Sequence, residues 1–202
     1  MDSTTGIAVA IQEAARDMGL PVPSREQASH VIGLGLHDSL RTAVPGLPAD
    51  KYMEFVEYYR KHFQAQQENM ELFPGVRELL ALLREKGHRL AVATGKSRRG
   101  LDHALRATGV ALAFAATRCA DETNPKPHPA MLLELMSEMA LENRDLLMVG
   151  DTSHDLGMAE SAGVDALAVG YGAHPIESLR ALGPRACVGS VAELCQWLTA
   201  NA

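Results

Sequence analysis

The sequence predicts an α/β protein, because its two parts have different hydrophobic patterns. Over residues 6–67 apolar side chains recur at helical spacing, and no strand-like run interrupts them. Phe73-Pro74-Gly75 then breaks regular structure, and beyond it short apolar runs alternate with helical patterns. We therefore predict a helical domain at residues 1–72 and an α/β core at residues 73–202.

The helical part carries ordinary helix signals. Apolar residues from Ile7 to Met18 share one face, and Gly19 is a natural C-terminal stop. Ser24 and Gln27 form the pattern of a capping box for a second helix. Aromatic residues between positions 52 and 63 recur at helical spacing, which favours packing within a small helical bundle.

A glycine-containing segment is the candidate for substrate selection. Gly33 and Gly35 loosen the chain around His37. We predict that the segment from Gly33 to Asp38 is a loop that faces a ligand.

The second part predicts a Rossmann-like parallel sheet. Strands that alternate with helices are joined by right-handed crossovers, and helices then cover both faces of the sheet. The predicted helices lie at 75–86, 97–107, 129–140, 154–162 and 191–200, and the predicted strands at 89–93, 113–117, 146–149 and 165–169. Ligands in such folds bind at the carboxyl ends of the strands.

Thr94 and Gly95 follow the first predicted strand and precede a helix. The threonine hydroxyl and the helix-opening amides could together hold an anion. Taken alone, a threonine at this position is more often a simple turn residue.

Lys126 lies between Pro125 and Pro127, which restrict its backbone and aim its ammonium from a rigid loop. A surface lysine in a proline-rich turn explains the same pattern equally well. The neighbouring His128 is predicted to be an ordinary surface residue.

Asp151 and Asp155 form the most specific local pattern. Asp151 ends a buried strand, and Asp155 lies on the first turn of the next helix. Mg²⁺ is bound through one or two carboxylates, waters and substrate phosphate, so the pair fits a magnesium site. The alternative is that Asp155 only stabilises the helix N-terminus. His154, between them, is predicted to lie on the surface.

Composition narrows the classes of partner. With 47% hydrophobic residues in 202, the chain can bury a core. A formal net charge of −6 argues against nucleic-acid binding. Three scattered cysteines without a CxxC pattern favour a reducing, cytoplasmic setting, and no segment predicts a leader or a membrane span.

The ordered motifs resemble those of the haloacid-dehalogenase-like (HAD) hydrolase superfamily, in particular its phosphoglycolate-phosphatase-like branch. Ala93-Thr94-Gly95 resembles the second motif of that family, Lys126 with its prolines the third, and Gly150 to Asp155 the fourth. The helical part falls where this branch inserts a helical cap. The resemblance covers nearly the whole chain.

The resemblance implies a magnesium-dependent phosphatase that acts on a small phosphorylated metabolite through an aspartyl-phosphate. Thr94, with Gly95, would bind a phosphoryl oxygen, and Lys126 would neutralise charge on the nucleophile and the phosphate. Asp151 would ligate Mg²⁺. Asp155 would support the metal or orient the lysine.

The sequence departs from the family at its first motif. Family members carry Asp-x-Asp-Gly-Thr after a central strand, and neither is found here. We expect an N-terminally truncated form with little or no activity as given, in which Asp2 does not replace the nucleophile. The strands at 89–93 and 146–149 would lack the neighbour between them, which leaves self-association through the open sheet as a further expectation. A catalytically inert binding or assembly module, a metal-free dehalogenase and a phosphomutase remain alternatives.

Overall fold

A computed structural model describes residues 4–67 and 71–201 of the chain. Within these ranges the longer helices and the first four strands follow the order that the sequence predicts. The α-helices are α1 (Thr4–Asp17), α2 (Arg25–His30), α3 (Leu36–Ala43), α4 (Tyr52–Gln67), α5 (Val76–Glu85), α6 (Arg98–Thr108), α7 (Ala130–Met139), α8 (Ser153–Ala162), α9 (Ile176–Arg180) and α10 (Val191–Asn201). The strands are β1 (Ala91–Thr94), β2 (Ala116–Cys119), β3 (Leu147–Gly150), β4 (Asp165–Val169) and β5 (Ala186–Val188). None of these helices is long and apolar enough to cross a bilayer.

The helical region, residues 4–67, has its own apolar core. Helix α1 packs against α2 and α4, and its buried face is made largely of alanines, which let the neighbouring helices approach closely. Phe55 of α4 is fully buried in this core. Burial of one such side chain stabilises the fold by about 1.5–3 kcal/mol.

Two predicted helix signals of this region are confirmed, and the predicted extent of one loop is wrong. Gly19 follows α1 in the left-handed conformation, with φ of 64°. Ser24 caps α2 through a reciprocal capping box with Gln27. The loop predicted from Gly33 to Asp38 is shorter than expected, because α3 already begins at Leu36.

The strands form two parallel sheets. Strand β1 pairs with β2, and β3, β4 and β5 pair in that order. The prediction of parallel pairing is confirmed. In the described part of the chain β1 and β3 are not hydrogen-bonded to each other. The expectation that a strand is missing between them stays a prediction.

Helices on both faces hold the two sheets together. Leu90, beside β1, and Leu147 of β3 contribute to one apolar cluster with α5 and α10. Ala93 of β1 and Met148 of β3 contribute to another with α7 and α8. The two unpaired strand edges therefore lie within one layered core. Val149 of β3 remains 38% exposed, although a strand covered on both faces should bury it.

Several details differ from the prediction. Strand β2 begins three residues later than expected, at Ala116. Strand β1 begins two residues later than expected, so Thr94 is its last residue rather than the residue after it. The short elements α9 and β5 were not predicted. Strand β5 has three residues, too few for an alternating pattern to be recognised.

Candidate active site

A buried ion pair joins two of the predicted site residues. Lys126 Nζ lies 2.6 Å from Asp155 Oδ1, and the two side chains are 6% and 4% exposed. The other oxygen, Oδ2, accepts hydrogen bonds from the Asp151 N–H (3.2 Å), the Thr152 N–H (3.0 Å) and the Thr152 hydroxyl (2.8 Å). Burial by itself raises the pKa of Asp155, but Lys126 and the Thr152 donors outweigh it and lower that pKa.

Local sequence explains how Asp155 reaches this position. Thr152 is the N-cap of α8, and its hydroxyl accepts from the Asp155 N–H in a capping box. A side chain at Gly150 would overlap the Asp155 side chain, so β3 has to end in glycine. The capping box and the glycine together turn the carboxylate of Asp155 back under the end of the strand.

Asp151 presents a different carboxylate. Its Oδ2 accepts from the Ala173 N–H at 2.8 Å, and its main-chain carbonyl accepts from the His174 N–H at 3.1 Å. A side chain at Gly172 would overlap the Asp151 carboxylate, so the segment after β4 closes tightly over it. Oδ1 has no hydrogen-bond partner in residues 4–67 and 71–201 and keeps contact with solvent.

The donor set fits Mg²⁺ with unequal roles for the two acids. Because Asp151 Oδ1 has no partner among the described residues, it could bind a cation, and waters and a phosphate oxygen would complete the shell. Both oxygens of Asp155 are already engaged by Lys126 and by the turn at Asp151. The geometry therefore favours the lysine-orienting role of Asp155 over direct metal ligation. No cluster of three or more His, Cys, Asp or Glu side chains suited to a metal occurs in the described ranges.

Thr94 and Gly95 belong to a second loop of the same region. The Thr94 Oγ1 accepts from the Lys96 N–H at 3.1 Å, which leaves its own proton free to be donated. A side chain at Gly95 would overlap the main-chain carbonyls of Gly33 and Leu34. The helical region therefore touches the Thr94 loop through its backbone.

The segment Gly33–Gly35 also contacts the other two motif loops. A Cβ placed on Gly33 would lie 3.0 Å from the Thr152 hydroxyl oxygen, and one placed on Gly35 would lie 3.2 Å from the Pro125 Cβ. The loops that carry Thr94, Lys126 and Asp151 therefore meet under one short segment. By contrast, His37 lies in the first turn of α3, and its side chain is 62% exposed.

Three histidines near Asp151 form a cluster that the sequence did not reveal. The rings of His154 and His174 both donate from Nε2 to the main-chain carbonyl of His30, at 2.9 and 3.0 Å. The His30 and His174 rings stack with centroids 5.1 Å apart. His30 ends α2, so this cluster links the helical region to the Asp151 turn. His154, predicted to be an ordinary surface residue, is half-buried and belongs to this cluster, whereas His128 is exposed as expected.

The surroundings of His154 and His174 favour neutral imidazoles. His174 Nδ1 accepts from the Ser153 N–H at 3.0 Å, so its proton resides on Nε2. Burial lowers the pKa of both His154 and His174, because the charged form loses hydration. No motif marks His30 or His174, since they are brought together only by the fold.

A family model and two known proteins are similar to this chain in sequence. A family model described as haloacid dehalogenase-like hydrolase matches residues 1–169. The "Probable phosphatase IndB" of Dickeya dadantii is 36% identical over 200 residues, which cover 96% of this chain and 86% of that protein. The tyrosine-protein kinase PtkA of Mycobacterium tuberculosis is 34% identical over 173 residues, which cover 85% of this chain and 58% of PtkA.

Solved structures share the whole architecture. The crystal structure of a predicted phosphoglycolate phosphatase from Haemophilus somnus 129PT superposes with a TM-score of 0.85 at 26% identity. The match covers 98% of this chain and 92% of that one. The likeness therefore includes both the helical region and the sheet.

Proposed function

This chain belongs to the haloacid dehalogenase-like hydrolase family, and we propose that its site is that of a magnesium-dependent phosphatase for a small phosphorylated metabolite. The observation that carries the proposal is the buried Lys126–Asp155 pair beside the free oxygen of Asp151. One fixed cation and one available carboxylate at the ends of parallel strands suit a phosphoryl group. The phosphatase name of a 36% identical relative supports the same reaction class.

Each residue has a distinct part in this proposal. The Lys126 ammonium would neutralise charge on the phosphoryl oxygens, and Asp155 would hold that ammonium in place. The Thr94 hydroxyl and the Gly95 N–H would donate to a phosphoryl oxygen. Asp151 would hold Mg²⁺, which when bound would offset further negative charge on the phosphate.

The proposal assigns no residue of this chain as the nucleophile that attacks the phosphorus atom. The 202 residues contain no Asp-x-Asp-Gly-Thr sequence, and residues 1–3, including Asp2, lie outside the described ranges. We expect this chain by itself to bind Mg²⁺ and phosphate esters with little turnover, because family chemistry requires a carboxylate nucleophile. The unpaired edges of β1 and β3 offer a place for another strand, from this protein or from a second copy.

Phosphate release from a panel of phosphate esters with Mg²⁺ tests the proposal. The 202-residue chain is compared with one extended by an apolar strand that ends in Asp-x-Asp-Gly-Thr. We expect release only from the extended chain, and loss of release when its first aspartate is changed to Asn. Robust turnover by the unextended chain would refute the expected inactivity. Absence of turnover by a folded extended chain would refute the phosphatase assignment.

Binding measurements separate the metal role from hydrolysis. Asp151→Asn should abolish the heat of Mg²⁺ binding in calorimetry, whereas the exposed carboxylate variant Glu57→Gln should not change it. If phosphate esters bind to the extended chain without hydrolysis, the alternative of an inert binding or assembly module is favoured. Appearance of a phosphorylated product without free phosphate would instead indicate transfer to an acceptor other than water. The cytoplasmic location expected from the unpaired cysteines stays a prediction.

A further inference from the structure

His174 is a buried residue that has no part in the proposed chemistry. It lies in the segment 170–174, which follows β4 and closes over Asp151, and it is 5% exposed. Its Nδ1 accepts from the Ser153 N–H at 3.0 Å, and its Nε2 donates to the His30 carbonyl at 3.0 Å. A neutral imidazole can make both contacts at once, because one ring nitrogen accepts while the other donates. The ring is therefore fixed from two sides.

The segment 170–174 depends on such contacts for its order. It contains two glycines, which give its backbone more conformational freedom than other residues would. A side chain at Gly172 would overlap the Asp151 carboxylate, so a stiffer residue cannot replace it there. The segment is held instead by other side chains, of which Tyr171 makes a ring contact and His174 makes two hydrogen bonds.

The same segment orients the carboxylate that would hold Mg²⁺. The Ala173 N–H donates to Asp151 Oδ2 at 2.8 Å, and the His174 N–H donates to the Asp151 carbonyl at 3.1 Å. The contact with Oδ2 fixes the rotation of the carboxylate and therefore the direction of Oδ1. Removing a group that orients a metal ligand typically weakens metal binding by about 10- to 100-fold.

We propose that His174 is a positioning residue for Mg²⁺, which holds the segment after β4 against Ser153 and thereby keeps the Asp151 carboxylate in its binding orientation. The inference rests on the proposed function, because it requires Asp151 to be a ligand. The contact with Ser153 carries this role, since Ser153 belongs to the same turn as Asp151. The His30 carbonyl belongs to the helical region and is also bound by His154.

Calorimetric titration of Mg²⁺ into the 202-residue chain tests the assignment. In His174→Leu both side-chain hydrogen bonds are lost, and we expect the Mg²⁺ affinity to fall by about tenfold. The matched control His154→Leu loses a hydrogen bond to the same His30 carbonyl but leaves the contact with Ser153 in place. Its Mg²⁺ affinity should stay close to that of the wild type, whereas its unfolding free energy should fall as that of His174→Leu does.

Two conservative variants separate the two sides of the ring. Asn places an amide oxygen near the position of Nδ1, so His174→Asn can accept from the Ser153 N–H and should keep most of the affinity. Gln carries its amide toward the position of Nε2, so His174→Gln can donate only to the His30 carbonyl and should lose affinity as His174→Leu does. Circular dichroism verifies that each variant is folded. Hydrogen exchange of the Ala173 amide, which donates to Asp151, should accelerate only in the variants that bind Mg²⁺ more weakly.

The outcomes separate this inference from the proposed function. Unchanged Mg²⁺ affinity in folded His174→Leu, or an equal loss in His154→Leu, overturns the role of His174 and leaves the metal site at Asp151 standing. Loss of affinity in His174→Asn together with retention in His174→Gln also overturns it. Failure of the wild type to bind Mg²⁺, or binding that survives in Asp151→Asn, overturns the metal role of Asp151 and this inference with it.

Discussion

Replacing Lys126 with methionine tests the central ion pair most directly. The substitution keeps a long side chain but removes the ammonium that lies 2.6 Å from Asp155 Oδ1. Asp155 then remains a buried carboxylate that keeps its hydrogen bonds from Asp151 and Thr152. Breaking a buried pair by removing one partner costs about 3–5 kcal/mol. For a chain of this size each kcal/mol lowers the melting temperature by about 2–4 °C, so we expect a decrease of about 6–20 °C.

The stabilisation of the fold by this ion pair should depend on pH. Lys126 helps to hold the pKa of Asp155 below its ordinary value, so the pair stabilises the fold above the unfolded pKa of about 3.9. That stabilisation is lost as the pH falls through the lower folded pKa. In Lys126→Met the effect of burial dominates and the pKa of Asp155 rises. The variant's loss of unfolding free energy relative to the wild type is therefore largest near pH 7 and shrinks below about pH 4.

Urea unfolding followed by circular dichroism at pH 7 and at pH 3 measures this deficit. Lys126→Met/Asp155→Asn should be more stable at pH 7 than Lys126→Met, because no buried charge remains. The exposed control Lys61→Met should stay within about 0.5 kcal/mol of the wild type. A loss below about 1 kcal/mol at pH 7, or an equal loss at both pH values, would show that the charges are not buried and coupled as described.

Two other substitutions test the contacts around the site. Gly95→Ala should destabilise the fold by about 1–3 kcal/mol in urea unfolding, because the new methyl group overlaps the carbonyl of Leu34. The control Gly100→Ala, within α6, should be neutral or stabilising by up to about 1 kcal/mol. Equal effects of the two substitutions would contradict the close backbone approach at Gly95. Glu122→Gln should cost less than about 1 kcal/mol at pH 7, since the pair with Arg98 is about one-third exposed. Arg98 lowers the pKa of Glu122, so the difference between wild type and variant should shrink as the pH falls below the unfolded pKa of about 4.3, and a constant difference would count against the pair.

The general plan of the fold could be predicted from the sequence because it depends on local patterns. Strand β4 has the predicted bounds, since its apolar run is bordered by Gly163 and Gly170. The capping box at Ser24 was equally readable. The start of α3 was not, because two glycines obscured the helical pattern that begins at Leu36.

The site was only partly readable for a different reason. Lys126 and Asp155 were expected to meet because the ends of parallel strands share one edge, and the structure places them in contact. The different roles of Asp151 and Asp155 depend on which of their carboxylate oxygens already accept hydrogen bonds within the turn, and no sequence pattern shows this. The histidine cluster forms only because the helical region packs against α8, and such a contact between distant segments leaves no local sequence pattern.

The junction at His30 has a mechanical consequence. Two imidazoles share a single main-chain oxygen at the end of α2, so these two hydrogen bonds, unlike the ring contacts of His30, depend only on where the backbone runs. Any rotation that carries this oxygen away breaks both hydrogen bonds in the same movement. Because His174 also accepts from Ser153 beside Asp151, a continuous path of hydrogen bonds joins the helical region to the acidic turn.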